Sequence, residues 1–454
     1  MCVVCIAATS AASVFMGILP ISSPEVKTSK TEIVTQSKCT KKQKRNKKCI
    51  PSAVSTTTST TVTSTTHPIQ VYNSPTNSSG DINFCKLEDK SYQRRTWPNT
   101  IFSAWPITSG NLSLSGTYKV AMIPLHFADL PADPNPLDRV KDQMKLYTEY
   151  YTTVTAGKVK FEWVSSEQSI LVPGKSTDYA MGRSYGNDQI ATTFLQAADP
   201  YFDFNGIKIV SFLLPKNQTI IKESLQGFYK LNLSQPIPTQ ESLIYNYMLP
   251  GNYFDRPDKN YWSYWAHETG HMFLLPDLYV QPWLPSYRPG WSPPGPYTGW
   301  DIMANQDGPS RSISMWTRWT ASWVDDSQVW CVKSNELKQS QIMLSPNESN
   351  AQGIKVVIIP ITDTRALVIE SRRETKFNVN NSSIDEGVLV YEVDTIYGHG
   401  DAMILPIKKT STLSSNGVPN YYDALLNVGE SITYDGITIK YIADGVWDTV
   451  IINK

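Results

Sequence analysis

The chain has 454 residues, of which 41 are basic and 41 acidic, so no net field favours nucleic acid or an anionic membrane surface. With 41% hydrophobic residues, 24 Tyr and 13 Trp, it holds enough apolar mass for two or three folded domains and is not a wholly disordered chain. Partners must therefore be read from local motifs.

Val3 to Leu19 is apolar, small and uncharged, and no Lys or Arg precedes it. Residues 1–20 are read as a secretory signal peptide or an N-terminal anchor, and no other membrane-embedded part is expected. Residues 21–84 lack periodicity: the basic run Lys41 to Lys48 leads into a Ser/Thr tract from Ser52 to Thr61. Such sequence buries too little apolar surface to offset its chain entropy, so a solvated linker is expected. Cys39 and Cys49 bracket the basic run, and a local disulfide would hold it. Cys85 and Cys331 would then clamp the two ends of the catalytic region, with free thiols in a reducing compartment as the competing reading.

Globular sequence begins near Cys85. Tyr118 to Phe127 is rich in β-formers and reads as a buried strand. Pro136 and Leu137 open a helix whose apolar positions Leu137, Val140, Met144, Tyr147 and Tyr151 follow the helical period, and Gly157 ends that region. Lys158 to Val164 alternates as a strand, Ile190 to Ala198 is helical, and Ile207 to Leu214 is a second buried strand. The next helix is expected to start after Asn260 and to end by Leu275, because Pro276 disfavours a helical residue before it. Gln281 to Tyr297, dense in Pro and Gly, reads as a loop at the cleft, either a rim or simple packing. After Cys331 come short strands: Lys355 to Ile359, Ala366 to Glu370, Gly387 to Val393, Ser431 to Tyr434, Ile437 to Ile442 and Thr449 to Ile452. The expected fold class is α+β, with a catalytic domain over 85–330, built on a mixed sheet, and a β-rich domain over 331–454.

The run Trp265-Ala266-His267-Glu268-Thr269-Gly270-His271 carries the chemistry. Two histidines four apart on a helix share one face and reach one metal ion, while Glu268 stands beside the open position as a general base. With only five histidines in the chain, this pattern is rare by chance. A catalytic zinc keeps three protein ligands; the next glutamate after Glu268 is Glu336, so an aspartate is left to complete the set.

At this point the chain resembles the immune inhibitor A family of secreted metallopeptidases. Its HExxHxxGxPDxY run is similar to His267 through His271 followed by Leu275-Pro276-Asp277-Leu278-Tyr279. The resemblance extends to Gly299-Trp300-Asp301-Ile302-Met303-Ala304, to Trp316-Thr317-Arg318-Trp319, to Val368 through Arg373 and to Gly387 through Asp394. It implies a metzincin-like domain with zinc on His267, His271 and Asp277, with Met303 as an apolar floor and Asp301 either orienting a ligand or fixing the turn. An ordinary core methionine is the competing reading of Met303. One position departs from the family: its glycine is Leu274 here. We expect Leu274 to stay helical and the turn to be made around Leu275 and Pro276; otherwise Asp277 falls short of the metal. Asn305 stands where some metzincins carry a Tyr, so the partner of the metal in holding an oxyanion is not named by the sequence.

His126 and His399 read as structural, as single histidines usually do. Asp129, Asp133, Asp199 and Asp203 lie in turn-rich surroundings that suit structural Ca2+ or plain turn chemistry. The expected function is a secreted or surface-associated, monomeric zinc endopeptidase acting on proteins or peptides, with Glu268 deprotonating the zinc-bound water. Two alternatives remain: a surface-displayed protein- or glycan-binding module that lost catalysis on the same fold, and a hydrolase of peptidoglycan or glycopeptides.

Overall fold

The computed structural model describes residues 70–72, 82–91, 112–179, 187–221, 228–229, 236–251, 253–255, 261–281, 288–290, 295–378, 386–407 and 424–454. The N-terminal apolar stretch, the linker tract, the Cys39–Cys49 pairing, the Asn260 cap and most of the Gln281–Tyr297 loop lie outside them. Every described residue belongs to one compact unit, Thr66–Lys454. No helix among the described residues is long and apolar enough to cross a membrane.

Strands and helices alternate first: β1 (Gly116–His126), α1 (Lys141–Val154), β2 (Val159–Ser165), α2 (Asn187–Ala198), β3 (Ile207–Leu213), β4 (Phe228–Tyr229), β5 (Asn246–Met248) and α3 (Tyr261–Met272). They build a sheet in the order β2-β1-β3-β5-β4, parallel except for β4, which runs antiparallel at the edge. A parallel sheet is covered on both faces, which explains the unbroken apolar runs. Val120 and Met122 of β1 pack toward α1 and α3, whereas Ala121, Ile123 and Leu125 pack toward α2. The helix expected from Pro136 opens with a single 3-10 turn, Pro136–Arg139, and becomes α-helical only at Lys141.

Then follow α4 (Met315–Thr320), β6 (Val329–Cys331), β7 (Ser340–Leu344), β8 (Val356–Pro360), β9 (Arg365–Arg372), β10 (Gly387–Asp394), β11 (Ile404–Pro406), β12 (Ser431–Tyr434), β13 (Ile437–Ala443) and β14 (Asp448–Asn453). One sheet has the order β6-β8-β9-β10-β11; the other adds Gln70–Tyr72 to β7-β14-β13-β12. The class is α+β. β6 and β7 were not expected from the sequence.

The period-2 alternation of β8 and β9 assigns two jobs to one sheet. Val357, Ile359, Leu367 and Ile369 join Ile342, Ile439, Val450 and Ile452 of the second sheet in a sandwich core. Val356, Ile358, Ala366 and Val368 point the other way, into the core that also holds Trp265, Trp316 and Trp319. Polar residues on that second face, Glu370 and Arg372, are therefore driven beneath the helices. Cys85 and Cys331 are disulfide-bonded, Cα to Cα 6.4 Å, which ties the 3-10 turn Ile82–Lys86 to β6.

Candidate metal centre

α3 lies against α1, and hydroxyl groups pin the two together. Tyr151 Oη donates to the Ala266 carbonyl (2.6 Å), and Tyr147 Oη bonds Thr269 Oγ1 (3.0 Å). These contacts fix the rotation of the helix about its axis and thus the direction in which His267 and His271 project.

The helix ends within the bound that Pro276 sets. It stops at Met272, and Leu274 takes a left-handed conformation, φ +64°. Leu275 N–H reaches back to the Gly270 carbonyl (3.0 Å) and Leu274 N–H to the His271 carbonyl (2.9 Å), the paired bonds of a Schellman cap. The expectation that Leu274 stays helical is thus corrected: it occupies the glycine's place in the cap. Holding a leucine there costs about 1–2 kcal/mol, which the cap bonds and the packing of Leu274 against the core offset. The reversed chain then swings Asp277 up to the histidines.

His267 Nδ1 lies 2.9 Å from the Ile302 carbonyl, and His271 Nδ1 lies 2.9 Å from the Leu275 carbonyl. A carbonyl only accepts, so each Nδ1 carries the hydrogen and each neutral ring presents a bare Nε2. Both Nε2 atoms face the same oxygen, Asp277 Oδ1, at 3.3 and 3.2 Å. That buried oxygen has no hydrogen-bond donor. Three electron-pair donors thus converge with no hydrogen between them when the rings are neutral, an arrangement that repels itself unless a cation enters. Ligands about 2.0–2.1 Å from a tetrahedral zinc stand about 3.3 Å apart, which matches these separations. His267, His271 and Asp277 form a group that could hold a metal ion, and no other such group occurs among the described residues.

In the metal-free site a proton on His267 takes the place of such a cation. Burial opposes a charge on His267, but the hydrogen bond and charge of Asp277, with the charge of Glu268, push its pKa up to about 9. Burial alone would raise Asp277; the charges of His271 and His399 and the bonds to His267 and His271 instead hold it well below the usual carboxylate range. Glu268 is raised by burial, against the pull of His267 and His271. Its carboxylate makes no hydrogen bond or ion pair among the described residues, so it is available to take a proton.

A buried turn supports the centre from below. A Cβ added at Gly270 would stand 2.6 Å from Met303 Sδ, so the methionine lies directly against the helix between the two histidines. Asp301 Oδ1 accepts from Met303 N–H and Oδ2 from Ser314 N–H, both at 2.8 Å. Burial raises the Asp301 pKa to about 7 despite these two donors. From β9, Arg372 donates to the Trp300 carbonyl (3.0 Å) while its Nε pairs with Glu370 at 2.5 Å, both side chains fully buried. The chain of contacts runs from β9 through the 300–303 turn to the Ile302 carbonyl and so to His267.

Sequence reasoning missed two residues. His399, read as structural, meets Asp277: the Asp277 N–H donates to His399 Nδ1 (2.9 Å), and His399 Nε2 is 3.4 Å from Oδ2. Gln281 Nε2 donates to the same Oδ2 (2.7 Å). A lone histidine 122 residues downstream gives no local signal; the neighbouring Gly398 and Gly400 mark only a tight loop. His126 sits elsewhere, against Ser169 (3.2 Å). The four aspartates considered for calcium are engaged separately: Asp129 with Ser176, Asp133 with Arg139 and the Lys216 N–H, Asp199 with the Gln240 N–H, Asp203 with the Asn205 N–H. They do not gather, and turn chemistry accounts for them.

No protein-family model and no curated protein matches this chain. Among solved structures, catalytically inactive OgpA from Akkermansia muciniphila, in complex with an O-glycopeptide (glycodrosocin) substrate, is 11% identical over 63% of this chain and 85% of its own, with a TM-score of 0.28. Wild-type OgpA from the same organism is 10% identical over 64% and 92%, also with a TM-score of 0.28. Likeness at that level establishes neither a family nor a shared fold.

Proposed function

We propose that this chain is a secreted zinc-dependent endopeptidase. The observation that carries the reading is the buried Asp277 Oδ1 facing Nε2 of both His267 and His271, with Glu268 on the same helix. His267, His271 and Asp277 would hold the ion, and the Ile302 and Leu275 carbonyls keep both rings presenting Nε2. A bound zinc supplies Lewis acidity toward a carbonyl and a water molecule. Glu268 takes the proton of the attacking water and returns it to the leaving amine; burial, by raising its pKa, suits it to both transfers.

A peptide substrate is supported by β4, near α3, which is an edge strand among the described residues and so a place where an extended chain would pair. Export is supported by the Cys85–Cys331 disulfide, which suits an oxidising compartment. The test is cleavage of an unstructured protein by the full chain, abolished by a chelator and restored by zinc. Glu268→Gln should retain the metal and lose about 10²–10⁴ in turnover. Undiminished turnover in that variant refutes the mechanism.

A further inference from the structure

We propose that His399 is a positioning residue of the metal centre, which makes the β10–β11 loop of the C-terminal sheet part of that centre. The inference rests on the metal-binding reading above and adds a residue to it. It starts from how the two oxygens of Asp277 are treated. Oδ1 receives no donor and faces His267 and His271. Oδ2 lies under two nitrogens, Gln281 Nε2 at 2.7 Å and His399 Nε2 at 3.4 Å, which are themselves 3.0 Å apart.

The tautomer of His399 follows from its other nitrogen. Nδ1 accepts the Asp277 main-chain N–H, so the ring hydrogen is on Nε2, the nitrogen that faces Oδ2. Gln281 must present its amide nitrogen there as well, because the reverse orientation would press its oxygen against a carboxylate oxygen. With Gln281 donating to Oδ2, the His399 ring beside that oxygen and the Tyr279 hydroxyl also bonded to the carboxylate, Oδ1 is the oxygen left facing the two histidines. His399 also grips the main chain of the same residue, so the carboxylate is restrained at both ends.

The loop is built to keep the ring in place. Gly400 N–H donates to the Asp277 carbonyl (2.9 Å), Gln281 N–H to the Gly400 carbonyl (3.0 Å), and Arg288 N–H to the Asp401 carbonyl (3.0 Å). Gly400 has φ +73°, and a Cβ on it would stand 2.8 Å from Gln281 Cγ and Cδ, so only glycine lets the two segments close up. Arg288 reaches Glu392 on β10, a second tie between the segments. An aspartate that depended only on its own turn would not need a partner more than a hundred residues away.

The test uses the full chain and measures zinc affinity by competition with a chromogenic chelator. It also records the visible spectrum of the cobalt-loaded protein, which reports the ligand set independently of activity. Wild type should bind one ion, and His267→Ala should lose it; failure there removes the metal reading itself, not only the role of His399. Given that binding, His399→Phe should weaken zinc affinity about 10–100-fold and alter the cobalt spectrum. His399→Gln, whose amide accepts and donates, should restore most of the loss. A folded His399→Phe with wild-type affinity and spectrum overturns the proposal, and so does equal weakening by Phe and Gln. Should His399→Phe not fold, His399→Ala serves: unchanged affinity in that variant also overturns it.

Discussion

Arg372→Met is the perturbation whose outcome the structure constrains most tightly. Arg372 and Glu370 are paired at 2.5 Å with both side chains 0% exposed, and Glu370 Oε2 also accepts from Met315 N–H (2.8 Å) and Tyr391 O–H (2.7 Å). Removing the guanidinium strands a buried carboxylate, which costs about 3–5 kcal/mol. It also leaves the Trp300 carbonyl and Ser310 Oγ without their donor. Combining Glu370→Gln with Arg372→Met removes the stranded charge, while the amide oxygen still accepts from Met315 and Tyr391. The pair should therefore recover a large part of the loss, with about 1–3 kcal/mol remaining for each orphaned acceptor that water does not reach. Urea midpoints in chelator, at unchanged slope, measure the three proteins against wild type. Because Trp300 begins the turn whose Ile302 carbonyl orients His267, zinc affinity should fall in Arg372→Met as well. A single variant costing under about 1 kcal/mol, or a double variant no better than the single one, would refute this account of the pair.

Three further outcomes follow from the site. His267 keeps its proton to about pH 9 when folded, against 6.5 ordinarily, so its contribution to the metal-free fold is complete below about 6.5 and is lost as pH rises through about 9. At pH 8, below that value, calorimetry in buffers of different ionisation enthalpy should therefore show net proton release on zinc uptake. Gly270→Ala pushes Met303 off the helix, and overpacking of about 1–3 kcal/mol should exceed the roughly 1 kcal/mol gained in helix propensity; a rise in melting temperature would contradict that contact. Leu274→Ile keeps the side-chain volume but puts a β-branch into a left-handed residue, so thermal unfolding should show a loss of about 1 kcal/mol or more, and an unchanged midpoint would speak against the cap.

The elements written in local periodicity were legible. Tyr118 to Phe127 anticipates β1, Ile207 to Leu214 anticipates β3, and the Gly387 run anticipates β10, because uninterrupted β-branched and aromatic residues suit a strand covered on both faces. The two histidines and Glu268 were legible because one helical turn places them together without help from the rest of the fold. Leu274 was misjudged because the cost of a left-handed leucine is local, whereas the cap bonds and packing that offset it arise only once the helix is docked. β6 and β7 are short, and their pairing with distant strands, not their composition, makes them strands. His399 and Gln281 belong to Asp277 through the meeting of two loops, and nothing in the spacing of residues along a chain encodes such a meeting.

The bonds that join Gly400 to Asp277 and Gln281 also set an order of events during synthesis. A ribosome making this chain releases α3 and Asp277 before it has made the 395–403 segment, so the nascent chain carries Asp277 for 122 residues without the ring that accepts its N–H in the finished fold.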